Sequence, residues 1–351
     1  MDILRLLTIQ IDHFCSKNTF YLFLAYLQAY ILVTAWPRIG KNGVWQFTTN
    51  CLTSDVQNGQ IQGLKLQKVA KLDSKSCLWM PEGYKLTLTQ FMIFYVPFFG
   101  TTLLLLVNGL FYFVYRAENP FFEKFKVEKS QPWPWNQDRQ QWLSTLKKAL
   151  AQTVFNNVVV HLVGILITSW AYDWQVPWRS DLESIPDALE ISRHILIFVI
   201  CEDFCFHMAH RLFHCKDRRL PLYQWIHKQH HEFLHPVSIA SEYCHPLEFL
   251  ISNHYPSFVG MFILGEKCHI WTTMLWGVLR VLESHDAHSG YEFPWSLFRI
   301  MPFGSDATYH IFHHTKNVGN YSSFMTIWDT IFDSNKDYYE KYAEGSRIEK
   351  S

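Results

Sequence analysis

Long uncharged stretches alternate with polar segments along this chain. Thr19–Trp36 and Thr89–Tyr115 contain no Asp, Glu, Lys or Arg, and each is about as long as a helix that crosses a bilayer, roughly 20 residues. Four weaker apolar stretches follow: Ala149–Trp170, Ala188–Phe206, Leu247–Gly265 and His269–Leu282. Because a short apolar stretch can also be a buried helix, the pattern predicts an all-α integral membrane protein with four to six transmembrane helices.

The same pattern divides the chain into three regions. Residues 1–140 hold two predicted spans and a polar loop, Pro37–Leu88, and we interpret them as an N-terminal membrane anchor region. Residues 141–335 contain the candidate chemistry and form the predicted catalytic domain, and residues 336–351 form a charged tail. The stretch SQPWPWNQ, Ser130–Gln137, is expected to be an interfacial or linker segment, because Trp favours the headgroup region.

Composition fits the membrane prediction and excludes some functions. Of 351 residues, 49% are hydrophobic and 17% aromatic, while 31 basic and 31 acidic residues cancel. Nucleic-acid binding usually needs a basic excess, so we expect no nucleic-acid partner. The eight Cys include no CxxC pair, which excludes zinc-ribbon and thioredoxin motifs. Cys51 and Cys77 share one loop and could pair if that loop lies outside the cytosol.

Histidine is concentrated in one third of the chain. Fifteen of the 18 His lie between His207 and His314, and nine of them form three boxes, HMAHRLFH, HKQHH and HIFHH. On a helix, residues three and four positions apart share a face, so each box can direct two or three imidazoles at a common point. Neutral imidazole is the commonest protein metal ligand. The boxes contain His207, His210 and His214, then His227, His230 and His231, then His310, His313 and His314.

Isolated histidines have a simpler interpretation. A single His on an apolar face is usually a hydrogen-bonded core residue, and we interpret His13, His161, His194, His254 and His269 in this way. An amphipathic helix can carry surface histidines, but three boxes beside predicted spans favour metal binding. The three boxes hold more imidazoles than the four ligands of one zinc ion, so we expect two metal ions in a shared site. Nearby carboxylates could orient the ligands: Glu202, Asp203, Glu232, Glu242, Glu248, Glu283, Asp286 and Asp306.

The order of motifs resembles a known family. HRLFH, HKQHHEF, EYCHPLEF, HSGYEFPW, HIFHH and GNYSS follow one another over about Ile195–Asp333. This series resembles the sterol C-4 methyl oxidases, or methylsterol monooxygenases, of the membrane-bound fatty acid hydroxylase superfamily. The segment RVLESHDAHSGYEFPWSLFRIMPFG, Arg280–Gly304, favours the sterol-oxidase branch.

The resemblance implies a di-iron enzyme of the endoplasmic reticulum membrane, with several membrane passes and a cytosolic His-rich domain. Such an enzyme would oxidise the 4-methyl group of a sterol taken from the membrane lipids. It would use O2 and electrons that reach it from an NAD(P)H-dependent reductase through cytochrome b5. The residues that match the family's iron ligands are His210, His214, His227, His230, His231, His245, His288, His310, His313 and His314.

Further residues near the boxes are candidates for ligands or for groups that orient them. They are His207, His285, Glu202, Asp203 and Asp306. Many members of the family read HDxHH in the third box, whereas Ile311 follows His310 here. This difference removes a carboxylate that Asp306, one turn earlier, could replace.

Other functions stay open at the level of sequence. The same site could belong to a sterol desaturase, to another sterol dealkylase or to a fatty acyl hydroxylase, because these enzymes differ in the substrate pocket rather than in the ligands. A His-rich metal transporter is a different class, but transporters place their ligands near the bilayer midplane. An inactive lipid sensor is the third class, and there we would expect a box to have lost a histidine.

Overall fold

The computed structural model describes residues 88–174, 178–181 and 183–341, together with five single positions between residues 27 and 37. The first predicted span, the Cys51–Cys77 loop and most of the predicted tail therefore lie outside the described residues. Within these ranges the secondary structure is helical, and only isolated β-bridges occur. This agrees with the predicted all-α class.

Seven helices of ten or more residues form the described fold. They are α1 (Leu88–Ala117), α2 (Arg139–Phe155), α3 (His161–Ala171), α4 (Ala188–Phe213), α5 (Tyr255–Leu264), α6 (Ile270–Ala287) and α7 (Ala307–Lys316). Two π-helical segments, Asn156–Val160 and Phe249–His254, lead directly into α3 and α5. Short 3₁₀ segments cover His227–Glu232, Ser238–Glu242, Gly265–Lys267 and Leu297–Ile300. Single α-helical turns cover Pro120–Glu123, Pro134–Gln137, Leu222–Trp225, Pro246–Glu248 and Ile327–Ile331.

Two stretches in the described residues are long and apolar enough to cross a membrane. They are Val96–Ala117 in α1 and Arg139–Ala171, which runs through α2 and α3. Both expose large apolar side chains, such as Leu110 and Phe113 on α1 and Trp170 on α3. Large exposed apolar surfaces are costly in water and mark protein or membrane contacts, so this arrangement indicates membrane association. The other predicted spans within the described residues are helical, but the total of four to six spans stays a prediction.

Helix α4 brings the first His box into the interior. It begins at Asp187, whose carboxylate caps the helix by accepting a hydrogen bond from the N–H of Glu190 at 2.8 Å. It packs closely on α5, where the absence of a side chain at Gly260 admits Phe198: a Cβ at this glycine would lie 2.7 Å from the ring. The C-terminal end of α4 then lies beside the segments that carry the other boxes.

An aromatic cluster joins α1 to the region after α6. The Tyr115 ring lies 5.2 Å from the Trp133 ring and 5.7 Å from the Tyr291 ring, and all three side chains are buried. The Tyr115 hydroxyl donates to the Ser289 carbonyl at 2.7 Å and accepts from the Ser238 N–H at 2.9 Å. Trp133 therefore packs in the core, whereas most of the segment Ser130–Gln137 is exposed, and its role as an interfacial or linker segment stays a prediction. The domain boundaries at residues 140 and 335 stay predictions.

Candidate metal centre

Nine histidines are gathered into two adjacent groups. Within each group the ligand nitrogens all lie within 4.8 Å of one another, and every one of the nine residues is buried. Group A contains His210, His214, His227, His231 and His313. Group B contains His230, His288, His310 and His314.

Four segments of the chain supply the two groups. The last turn of α4 contributes His210, and the next residue after its end contributes His214. The second box is a short 3₁₀ segment rather than an α-helix, and it supplies both groups. His288 caps the C-terminus of α6, and α7 carries the third box. The boxes therefore do not each form one site, because each of the last two is divided between the groups.

Hydrogen bonds at Nδ1 fix the orientation of most of these rings. A carbonyl oxygen can only accept, so a ring nitrogen bonded to it carries the hydrogen and leaves Nε2 with its lone pair. Five rings donate from Nδ1 to backbone carbonyls: His210 to Tyr321 at 2.8 Å, His230 to Tyr243 at 3.2 Å, His288 to Ser284 at 2.7 Å, His313 to Gly319 at 2.6 Å and His314 to Phe233 at 3.0 Å.

Several Nε2 atoms in the two groups lie close to one another. In group B the Nε2 atoms of His230 and His288 are 3.3 Å apart, and no hydrogen lies between them because both rings carry it on Nδ1. The Nε2 atoms of His288 and His310 are 2.9 Å apart, and in group A those of His227 and His231 are 3.0 Å apart.

A metal ion accounts for these distances. Two imidazoles bound to one ion at about 2.1 Å place their nitrogens roughly 3.0–3.4 Å apart when the ligand–metal–ligand angle is about 90–109°. Without a cation, buried acceptors would face each other with no donor, at a cost of about 1–3 kcal/mol each. The donor sets of five and four neutral nitrogens fit two first-row transition-metal ions, because imidazole suits Fe, Cu, Ni and Zn.

The electrostatic environment keeps the ligands neutral. Burial lowers the pKa of all nine imidazoles, and neighbouring imidazoles lower most of them further. The pKa of His230 and that of His313 fall to about 4. Since only a neutral ring offers a lone pair, both groups are ready to bind metal at pH 7 without losing protons.

One predicted ligand lies outside both groups. His245 is partly buried, and its Nδ1 accepts a hydrogen bond from the backbone N–H of Leu247 at 3.2 Å, so it caps the turn Pro246–Glu248. The proline that follows it starts this turn and directs the imidazole to the helix terminus. The structure therefore does not bring His245 to the metal centre.

The two further candidate histidines, His207 and His285, also lie outside the two groups. The Nδ1 of His207 lies 3.3 Å from the Ser322 hydroxyl and 3.4 Å from the carboxylate of Asp329. His285 donates from Nδ1 to the Val281 carbonyl at 2.7 Å, and its Nε2 lies 2.9 Å from the amide of Asn108. Neither is among the nine grouped residues.

The three candidate carboxylates support neighbouring segments. Glu202 forms a buried ion pair with Arg280 at 2.8 Å. Asp203 accepts backbone N–H bonds from Ser323 and Phe324 at 2.9 and 2.8 Å. Asp306 caps α7 by accepting from the Tyr309 N–H at 2.9 Å, and it is in neither group. The carboxylate lost at Ile311 is therefore not replaced by a group within the metal centre.

Two further carboxylates support the site: Glu248, which was expected to orient a ligand, and Asp329, which was not predicted. Glu248 is buried and lies 2.7 Å from Nδ1 of His227. Asp329 holds the loop whose carbonyls orient His210 and His313, because its carboxylate accepts from the backbone N–H groups of Tyr321 and Ser322. Glu248 was visible in the sequence as an acidic residue after the second box, but Asp329 lies 15 residues beyond the third box and carried no signal.

A small cavity borders both groups. His210 and His227 of group A and His230, His288 and His310 of group B line it, together with polar residues that include Ser284 and Ser323. Its volume is about 30 Å³, which is enough for a molecule or group of two or three atoms. The two groups therefore face a common space in which one small reactant could contact both.

Known proteins with similar sequences match the part of the chain that carries the metal centre. The fatty acid hydroxylase family model matches residues 195–334, a range that contains all nine grouped histidines. Methylsterol monooxygenase 2-2 of Arabidopsis thaliana is 33% identical over 268 residues, which cover 74% of this chain and 93% of the relative. Methylsterol monooxygenase 1 of Rattus norvegicus is 33% identical over 242 residues, 67% of this chain and 77% of the relative.

A differently named relative is about as similar. Very-long-chain aldehyde decarbonylase GL1-8 of Oryza sativa subsp. indica is 32% identical over 267 residues, which cover 74% of this chain and 92% of the relative. No solved structure matches the chain significantly.

Proposed function

Because the chain belongs to the fatty acid hydroxylase family, we propose that it is a di-iron monooxygenase that oxidises the 4-methyl group of a membrane sterol. The observation that carries this proposal is the pair of histidine groups that face one small cavity. A single metal site would suit many functions, whereas two adjacent sites around a shared space suit the activation of a small molecule such as O2. Relatives named methylsterol monooxygenase in a plant and in a mammal support the sterol as substrate class.

Two iron ions would be held by groups A and B. Bound iron would supply the oxidising power needed to break an unactivated C–H bond, which no side chain can do as an acid, base or nucleophile. The chain's own residues would orient the ligands, through the Nδ1 bonds of six of the nine rings, and would keep the site free of bulk water by burial.

The proposed reaction is balanced as follows. One C–H bond of the methyl group breaks and one C–O bond forms, giving an alcohol from one oxygen atom of O2. The second oxygen atom leaves as water, which requires two electrons and two protons. We propose cytochrome b5, reduced by an NAD(P)H-dependent reductase, as the electron donor. Two further rounds would give the aldehyde and the carboxylic acid.

Aldehyde decarbonylation is the second candidate, because a relative with that name covers the chain equally well. The purified protein in lipid nanodiscs, loaded with iron and supplied with NADH, reductase and cytochrome b5, should convert a 4,4-dimethylsterol to the 4-carboxysterol. A very-long-chain aldehyde in the same assay should give no shortened hydrocarbon. The reverse result would reject the sterol proposal and favour decarbonylation. Turnover of neither lipid by an iron-loaded protein would reject both.

We also propose a multi-pass location in the endoplasmic reticulum membrane, with all three boxes on the cytosolic side. The segment Arg116–Lys148, between the predicted spans Thr89–Tyr115 and Ala149–Trp170, carries seven Lys or Arg and four Asp or Glu, which fits the excess of basic residues in cytosolic loops. A glycosylation sequon inserted near Lys129 should stay unmodified, and one inserted in the loop Pro37–Leu88 should be modified. The opposite labelling would contradict this topology.

The chain also contains a natural glycosylation sequon, Asn320-Tyr321-Ser322, but this sequon cannot test the topology. The Asn320 side chain is buried and donates to the Tyr309 carbonyl at 3.0 Å, so burial alone would keep it unmodified on either side of the membrane.

A further inference from the structure

A second cavity lies between α1, α3, α5 and α6, and its walls are mainly apolar. Phe99 and Leu103 of α1, Met261 of α5 and Trp276 of α6 form much of the lining. Two of the four helices, α1 and α3, belong to the stretches that are long and apolar enough to span a membrane. The cavity therefore lies beside the surface that we expect to face lipid, and an apolar molecule could reach it without crossing water.

Polar residues are gathered at the end of this cavity that adjoins the metal centre. Asn253 and Arg280 line both this cavity and the small cavity at the histidine groups. Two buried carboxylates form ion pairs with Arg280: Glu202 at 2.8 Å and Glu283 at 2.9 Å. The Arg280 side chain is therefore fixed, and it and Asn253 form a boundary between the apolar cavity and the space shared by the two groups.

Two π-helical segments form the wall at this polar end. Asn156–Val160 supplies Asn157, and Phe249–His254 supplies Asn253 and His254. A π-helical turn inserts one residue and changes the direction of its side chains, and such turns are frequent at functional sites. Here both segments place amide side chains in the lining of a mainly apolar cavity. A purely structural packing role would not require polar groups at these positions.

Glu242 is the one carboxylate among the described residues that line this cavity. It follows the second His box in the 3₁₀ segment Ser238–Glu242. The Nδ2 group of Asn157 donates to its Oε2 at 3.4 Å and to the Thr153 carbonyl at 3.1 Å. One carboxylate oxygen is thus oriented by a neighbouring amide, and a carboxylate has further lone pairs that can accept a hydroxyl hydrogen.

From these features we infer that this cavity binds the sterol's first two rings and that Glu242 accepts a hydrogen bond from the 3-hydroxyl. The inference rests on the proposed function and adds a substrate site to it. The cavity has a volume of about 150 Å³, room for roughly ten to fifteen atoms of water size, which suits two fused rings with their substituents. The rest of the sterol would extend along α1 towards lipid.

The chemistry of the substrate explains the position of the polar end. In a 4-methylsterol the hydroxyl is on the carbon next to the one that bears the reacting methyl group. A hydroxyl held by Glu242 therefore keeps that methyl group at the end of the cavity next to Asn253, Arg280 and the histidine groups. An apolar chain without such a hydroxyl would fill the same cavity but would not be held in one position along it.

Glycines provide a direct test of the cavity. A Cβ at Gly277 or at Gly109 meets no atom within 4 Å, but only Gly277 lines the cavity. Gly277→Phe should therefore fill the cavity without disturbing the protein, and Gly109→Phe is the matched control on α1. We expect Gly277→Phe to reduce binding of a 4,4-dimethyl-3-hydroxysterol at least tenfold in nanodiscs, with unchanged iron content and Tm. Gly109→Phe should bind as the wild type does.

The outcomes separate this inference from the proposed function. Wild-type-like sterol binding and turnover by Gly277→Phe would overturn the cavity assignment, whatever the reaction is. If the wild type instead processes a very-long-chain aldehyde and Gly277→Phe blocks that turnover, the cavity stands as the substrate site while the sterol proposal fails.

The role of Glu242 is tested with the same sterol and its 3-deoxy analogue. A site that must bond a hydroxyl loses about 10- to 100-fold in affinity when the hydroxyl is missing, because its acceptor is left unpaired. The wild type should show this preference in kcat/KM, and Glu242→Leu should reduce the ratio towards 1. Glu242→Gln, which keeps an acceptor oxygen, should retain part of it. A preference that is unchanged in Glu242→Leu would remove Glu242 from the site, and the iron content of each variant checks that the metal centre is intact.

Discussion

His230 and His231 are neighbours in the chain, yet their imidazoles belong to different histidine groups. The two ring planes are nearly perpendicular, at 86°, with centroids 5.7 Å apart. His230 faces His288 and His314 of group B, and the Nε2 of His231 lies 3.0 Å from that of His227 in group A. His313 and His314 are divided in the same way. The second and third boxes therefore each connect both groups, so that the two metal positions are fixed relative to each other.

Single substitutions at this pair should remove different metal ions. We expect His230→Ala to lower occupancy in group B and His231→Ala to lower it in group A, each leaving about one iron per chain, because one nitrogen is lost from one group. Oxidation of the sterol should be abolished in both, since both ions face the shared cavity. Elemental analysis and Mössbauer spectroscopy of purified variants measure the content.

His245→Ala is the matched control for these variants. Its imidazole lies outside both groups, so iron content and activity should be close to those of the wild type. If His245→Ala loses iron as His231→Ala does, the assignment of ligands is wrong. One zinc ion and no iron in the active protein would reject the di-iron proposal.

Glu248 should tune the metal centre through His227. Its carboxylate lies 2.7 Å from the Nδ1 of this ligand, and both side chains are buried. Partners of this kind raise the basicity of the ligand and hold its orientation, and their loss typically lowers metal affinity or activity about 10- to 100-fold. We expect that loss for Glu248→Ala in a competition assay with a chelator. Glu232→Ala, which removes a carboxylate bonded to the Tyr243 hydroxyl instead, should retain the wild-type affinity; equal losses in both variants would contradict the specific role of Glu248.

Asp329 holds the loop that orients two ligands. Its carboxylate accepts from the backbone N–H groups of Tyr321 and Ser322 at 2.9 and 2.8 Å, and from the hydroxyls of Tyr309 and Ser334 at 2.8 and 2.6 Å. Burial opposes its charge, but these donors and the nearby His207 keep the pKa of Asp329 well below its usual range.

Loss of this carboxylate should therefore affect both stability and metal binding. We expect Asp329→Ala to lower the free energy of unfolding by about 3–5 kcal/mol, as for other buried charges removed from their partners. Metal affinity should also fall, because the Tyr321 and Gly319 carbonyls that orient His210 and His313 would move. Chemical denaturation and chelator competition measure the two effects. The exposed Asp337 is the control: Asp337→Ala should change neither, and a variant Asp329→Ala with normal metal affinity would show that the loop does not position the ligands.

The metal-free protein should be sensitive to mild acid. Burial lowers the pKa of His230 and that of His313 to about 4, whereas an unfolded chain titrates near 6.5. Below about pH 6.5 the unfolded state therefore binds more protons than the folded state, and stability falls as the pH decreases towards 4. We expect the Tm of chelator-treated protein to decrease continuously from pH 7.5 to pH 5. A Tm that stays constant over this range would show that the buried imidazoles do not titrate on unfolding.

The residues differ in how far their roles could be predicted. The helical class and eight of the nine grouped histidines follow from apolar stretches and from the His spacing of the boxes, which are local properties of the chain. His288 was included only because the motif series resembles that of the family. His245 was placed among the ligands because a motif position matched, but Pro246 starts a turn there and the imidazole caps it. Trp133 was expected at an interface, yet Tyr115 and Tyr291 enclose it. Both differences arise from local or long-range packing that spacing does not encode.

The sequence by itself determined that this chain is apolar, helical and rich in histidines with the spacing of metal ligands. Only the tertiary structure decided that His230 and His231 serve different groups, that Asp329 supports His210 and His313 through a distant loop, and that Glu242 lines an apolar cavity next to the metal centre. The physical reason is that helix formation and side-chain spacing depend on neighbours along the chain. The direction of each grouped imidazole depends instead on contacts between residues up to 111 positions apart, as for His210 and Tyr321.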